Sequence, residues 1–215
     1  MPAKNSSPAR KRAPRPKRFS LVPAEAQQAM YRAIAELKAA ALRHANGTEV
    51  AAIAARAALG EHDPVLVAGP RQPHGKTLRE ATVAATGALL AHPDATALIC
   101  GGRIGQPEGY ADALRFTVQY KLPVLFLVSN SLAKQGRPAP DLRVLQAEYG
   151  IPVFSVDAND AIATYRVVTE ALHTARHQRG PSFIEVLTLD GDGVNRNAAL
   201  TLLEGYMRRH DNWPG

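Results

Sequence analysis

Five short apolar runs, Pro64–Val67, Ala95–Cys100, Pro123–Val128, Val153–Val156 and Phe183–Leu189, alternate along this chain with helical segments, and that alternation leaves few ways to fold. Each run is rich in Val, Ile, Leu or Phe on both sides, which predicts strands covered on both faces. Between them Thr77–Ala91, Tyr110–Tyr120, Asp141–Tyr149 and Asp160–Gln178 read as helices, with a last one near Ala198–Arg209. The succession predicts an α/β fold, a mostly parallel sheet with helices on both faces and right-handed crossovers. Ligands of such sheets bind at the carboxyl ends of the strands. The loops expected to carry a site are therefore Gly69–Lys76, Gly101–Gly109, Ser129–Ala139, Asp157–Asp160 and Asp190–Arg196.

Two helices precede the sheet. Pro23–Ala45 places Ala26, Met30, Ile34, Leu37 and Ala41 at helical spacing, and Ala-rich Glu49–Leu59 is closed by Gly60. Ahead of them, residues 1–20 hold seven Lys and Arg, no acid, and Pro2, Pro8, Pro14 and Pro16. This composition predicts a disordered basic tail over 1–22 and one folded domain over 23–215. Removing those seven charges from the formal +7 leaves 19 basic against 19 acidic residues, so the domain itself is neutral. The tail is an arm for an acidic partner or nucleic acid, or a solubilising extension. No stretch approaches the ~20 apolar residues of a membrane span. The single Cys100 rules out an internal disulfide and points to a cytoplasmic protein.

Several constellations compete for chemistry. Gly69-Pro-Arg-Gln-Pro-His-Gly75-Lys76-Thr77 has the strand, loop, helix setting of a phosphate loop, with one residue too many between its glycines and a proline that removes a donor. Cys100-Gly-Gly-Arg-Ile-Gly-Gln-Pro-Glu-Gly109 is glycine-rich ahead of a helix, and Arg103 offers a bidentate contact to phosphate. His173 and His177 lie four apart, a spacing that suits zinc or a solvated pair. Asp157 and Asp160 bracket a helix start, where an N-cap at Asn159 or Asp160 explains them. Asp190-Gly-Asp-Gly193 lacks the later ligands of a calcium loop.

The order of segments resembles the alpha subunit of the decarboxylating component of 2-oxo acid dehydrogenase complexes, a thiamine-diphosphate-binding fold. Met30-Tyr-Arg-Ala is similar to that family's first helix, Gly47-Thr-Glu-Val-Ala-Ala to its second, and Pro73-His-Gly75 to its histidine loop. The run from Gly109 to Leu187 carries the closest resemblance, through Ala113-Leu-Arg-Phe, Val128-Ser-Asn-Ser131, Tyr149 to Asp160 and Gly180-Pro-Ser-Phe-Ile-Glu-Val-Leu187. Leu203 to Trp213 is similar to the family's closing segment.

The resemblance implies a cofactor site of Gly101, Gly102, Arg103, Asn130, Ser131 and His74, holding thiamine diphosphate and magnesium if the site works and no cofactor if it does not. Where the family has Gly-Asp-Gly, this chain has Gly101-Gly102-Arg103, and for Asn-Asn it has Asn130-Ser131. Hard magnesium depends on oxygen ligands, so two are lost or weakened, and Arg103 could stand in the metal's place. Several dozen residues after His74 and a histidine loop after Leu189 are also missing. The expected function is that of an alpha-subunit-like protein in oxidative decarboxylation, with a beta-type subunit or a second copy as partner. The alternatives are a non-catalytic structural or regulatory member of the fold and, second, a P-loop-like nucleotide-binding protein.

Overall fold

In the computed structural model the residues described are 19–37, 48–69, 77–103, 111–131, 141–178, 180–188 and 194–213. Seven helices and five strands occur among them. In chain order they are α1 (Ala24–Ala35), α2 (Glu49–Ala58), β1 (Val65–Val67), α3 (Leu78–Ala91), β2 (Ala97–Arg103), α4 (Ala111–Gln119), β3 (Val124–Ser131), α5 (Arg143–Tyr149), β4 (Val153–Asp157), α6 (Ala161–Gln178), β5 (Ser182–Thr188) and α7 (Arg196–Arg209).

All pairings are parallel, in the order β1-β2-β3-β5-β4. Successive strand residues point to opposite faces, and the two faces bury two cores. Leu98, Leu125, Leu127, Ile184 and Val186 pack with α1, α2, α6 and α7. Ala97, Ile99, Val124, Phe126, Val128 and Phe183 pack with α3, α4 and α5. The α/β parallel architecture expected from the sequence is the one observed.

Helix ends follow local chemistry. Thr77 Oγ1 accepts from Glu80 N at 3.2 Å and starts α3, Asp160 Oδ1 accepts from Ala163 N at 2.8 Å and starts α6, and Asn195 does the same for α7. Gly150 closes α5 at φ 66, the left-handed turn that glycine enters without a Cβ clash. The first helix is shorter than the 23–45 expected. It ends at Ala35, with Glu36 as its C-cap, and Arg196 Nη1 donates to Leu37 O at 2.7 Å; residues 38–47 lie outside the described residues.

Packing begins ahead of α1. Val22 is fully buried in the first core, and Ser20 Oγ lies 3.1 Å from Tyr206 Oη. Of the tail expected over residues 1–22, residues 1–18 lie outside the described residues. At the other end Trp213 receives the edge of Tyr31, with centroids 5.0 Å apart, and the Arg208 guanidinium 4.7 Å above it, which ties the closing segment to α1.

The chain steps β1, β2, β3 across the sheet, skips one position to β4 and returns to β5. Right-handed crossovers then put α3, α4 and α5 on one face and α6 on the other, as the two cores show. From β3 the chain leaves toward α5 and from the adjacent β5 toward α7, on opposite faces. The carboxyl ends of β3 and β5 thus flank the switch point where a ligand crevice forms in open α/β sheets.

Candidate functional site

The structure brings five of the six candidate site residues together at the carboxyl ends of β2 and β3, although it places them in strands where loops were expected. β2 runs through Gly101, Gly102 and Arg103, and β3 through Asn130 and Ser131. Pairing sets these ends: Arg103 lies opposite Ser129, Asn130 opposite Leu187 and Ser131 opposite Thr188. Register shifts between Cys100 and Arg103, where three steps on β2 meet two on β3. Such a bulge re-aims the residues beyond it. His74 and the rest of the first phosphate-like loop, at 70–76, lie outside the described residues, as do loop 104–110 and Asp190-Gly-Asp-Gly193.

Gly101 is a point of close approach. A Cβ built there would stand 2.9 Å from Leu78 Cδ2 and 2.9 Å from Val128 Cγ1, so the first-turn leucine of α3 and the valine of the next strand occupy the space beside the glycine. Val128 belongs to the second core, and half-buried Leu78 packs against it. Cys100, one residue earlier, is buried, and burial pushes its thiol up to about 12; a thiol so held is not a nucleophile at neutral pH.

Glu185 stands in the middle of β5, on the face it shares with Asn130 and Ser155. Asn130 Nδ2 donates to its Oε1, and Ser155 Oγ, directly opposite in register, donates to its Oε2 at 2.6 Å. Both carboxylate oxygens therefore accept from protein donors, and the three residues tie β3, β5 and β4 across the switch point. This set is a carboxylate held as an acceptor. It lacks an imidazole to serve Ser155 as base. Sequence reading missed Glu185 and Ser155; the available signal was one carboxylate inside a strand otherwise apolar on both faces.

These residues do not fit a magnesium-held diphosphate. Position 102, at the end of β2, is a glycine and carries no carboxylate, and position 131, at the end of β3, offers a hydroxyl in place of an amide oxygen. Among the described residues there is no group of three or more His, Cys, Asp or Glu placed to hold a metal ion, whereas magnesium takes an octahedron of oxygens.

The remaining candidates have structural accounts. His173 and His177 are exposed and stacked with centroids 4.0 Å apart, and His177 Nδ1 lies 2.8 Å from His173 O. Asp157 Oδ1 accepts from Asn159 N, and Asn159 Oδ1 accepts from Asn195 N, so the Asp157–Asp160 turn anchors the start of α7. A cavity of about 350 Å³ lined by His62, Asp63, His92, Asp94 and Arg176 lies at the opposite, amino-terminal edge of the sheet. Among the described residues no helix is long and apolar enough to cross a membrane.

Comparison with known proteins matches residues 94–190 to the family described as "Dehydrogenase E1 component". The alpha subunit of the pyruvate dehydrogenase E1 component from Porphyra purpurea is 31% identical over 85 residues, 37% of this chain and 25% of that protein. The 3-methyl-2-oxobutanoate dehydrogenase subunit alpha of Mycobacterium tuberculosis is 35% identical over 83 residues, 36% of this chain and 23% of the relative. The pyruvate dehydrogenase subunit from Staphylococcus epidermidis is 31% identical over 102 residues, 44% and 28% of the two chains. A solved chain from Mycobacterium smegmatis, a candidate thiamin diphosphate-dependent enzyme, aligns over 68% of this chain and 32% of its own at 16% identity and a TM-score of 0.42. The match to the E1 component family thus covers the β2–β5 region, and the chain spans about a quarter of the length of the curated relatives it matches.

Proposed function

We propose that this chain is a shortened, E1-alpha-like subunit that keeps the sheet of that subunit and has closed its cofactor site, serving as a structural or regulatory partner rather than as a decarboxylase. The match over residues 94–190 supports the alpha-like frame. The observation that carries the non-catalytic reading is that the paired ends of β2 and β3 bring a glycine at position 102 and a serine at position 131, in place of the carboxylate and amide expected to hold the metal, while Leu78 and Val128 pack closely against Gly101. Positioning groups supply many orders of magnitude in rate, and a diphosphate denied its seat cannot be positioned.

Calorimetric titration of the purified chain with thiamine diphosphate and magnesium, alone and mixed with a beta-type E1 chain, tests this. No heat in either titration is expected. Saturable micromolar binding in either one overturns the proposal and returns the chain to the working dehydrogenase subunits.

A further inference from the structure

The solvent side of α3 carries no charge from Val83 to Ala91. Its exposed residues are Val83, Ala84, Gly87, Leu90 and Ala91, with Val83 65% and Leu90 79% exposed, while Ala81, Ala85 and Leu89 on the other side are in the core. A helix apolar on both sides belongs inside something larger. Phe116 of neighbouring α4 and Tyr120 just past its end, with ring centroids 4.7 Å apart, and Val144 of α5 are exposed in the same layer. Five of the eight exposed large apolar side chains among the described residues thus lie on the α3–α4–α5 face, which singles it out over the opposite one.

We propose that a second copy of this chain covers this face, α3 packing antiparallel against α3 of its partner about a twofold axis at Gly87. The residue order is self-complementary about that point. Val83 and Ala91 lie equally far on either side of Gly87, and so do Ala84 and Leu90. Antiparallel contact sets Val83 against Ala91 of the partner subunit and Leu90 against Ala84 of the partner subunit, large into small at each step, and the twofold repeats both contacts. A Cβ on Gly87 meets nothing within 4 Å in the single chain, so two bare backbones can approach there.

A stable interface covers about 800 Å² on each partner. The strip along one helix of about 21 Å falls short of that, so the rings of Phe116 and Tyr120 join the covered surface. A face meant for a different chain has no need of this order of large and small residues about one glycine.

Sedimentation velocity of the full chain across the micromolar range tests the proposal, and it does not involve the cofactor, so it and the cofactor titration can fail separately. The expected mass is twice the 23.0 kDa of one chain. Val83→Glu with Leu90→Glu, at positions exposed in the single chain, should sediment as a monomer with unchanged circular dichroism and thermal midpoint. Gly87→Cys should form a covalent dimer under mild oxidation, since the axis places the two α-carbons within disulfide reach and Cys100 is buried. A wild-type monomer, a dimer that survives the double glutamate substitution, or a dimer that Gly87→Cys fails to cross-link each overturns it. So does a monomer that gains mass only when a beta-type chain is added, which would give the face to that partner.

Discussion

A methyl group at position 101 would come within 2.9 Å of Leu78 Cδ2 and Val128 Cγ1, and the two neighbours differ in how they can yield. Leu78 is half-buried at the start of α3, and its methyl ends a flexible side chain. Val128 is buried and β-branched in the middle layer of the sheet, with little rotamer freedom. Gly101→Ala is therefore expected to cost about 1–3 kcal/mol by overpacking, which lowers the thermal midpoint by roughly 2–4 °C per kcal/mol for a chain of this size. Adding Leu78→Ala should return part of the loss, because the two side chains would compete for one space. Melting curves of the two single variants and the double check this; strictly additive losses would show that residues 78 and 101 do not share that space. The sequence marks Gly101 as part of a glycine-rich turn, but it cannot show that the glycine answers a leucine more than twenty residues earlier. That contact exists only once α3 lies on the sheet.

Elements are joined by side chains that no local pattern reveals. Asp63 has a side chain only 3% exposed. It accepts from Gly60 N and Thr96 N, each at 2.8 Å, and pairs with Arg176. It thereby fastens the turn after α2 to the approach to β2 and to the last turn of α6. Its partners lie 3, 33 and 113 residues away in sequence, which is why periodicity reasoning passes over it. The Arg176 guanidinium is 41% exposed, so the ion pair itself is screened; the larger loss on Asp63→Ala comes from the N–H of buried Thr96 left without an acceptor, about 1–3 kcal/mol, since the exposed Gly60 N–H can turn to water. Asp63→Asn keeps a carbonyl oxygen for Thr96 N and should lose less. Urea titration of both variants decides it, and equal stability of Asp63→Ala and wild type would remove Asp63 as the fastening point. Strand and helix identities were legible because apolar runs and caps are local. The reach of β2 to Arg103 and of β3 to Ser131 was not, because pairing with a neighbour, rather than apolar content, extends those strands into polar sequence.

For the whole molecule, the parallel sheet and its two covered faces followed from alternation alone, and the resemblance named candidate residues that the fold brings to the neighbouring ends of β2 and β3, beside the β3–β5 switch point. The proposed loss of the cofactor has two separable causes in this fold, the missing ligands at positions 102 and 131 and the packing of α3 against Gly101. α3 begins at Leu78, directly capped by Thr77, and its first turn packs on Gly101; on the proposed reading this packing is a second obstacle that restored oxygen ligands alone do not remove. Gly102→Asp with Ser131→Asn is accordingly expected to leave magnesium-dependent thiamine diphosphate binding undetectable by calorimetry. The same pair combined with Leu78→Ala should yield a measurable, magnesium-dependent heat, since the truncation opens the ground beside Gly101 while the new carboxylate and amide supply hard oxygens. Equal binding by the double and triple variants would place the defect in the ligands. Silence from the triple variant, with its fold intact by circular dichroism, would mean that opening the floor at Leu78 and restoring two oxygens are together not enough, and that the cofactor needs groups from the remaining three quarters of the relatives' length or from a partner chain.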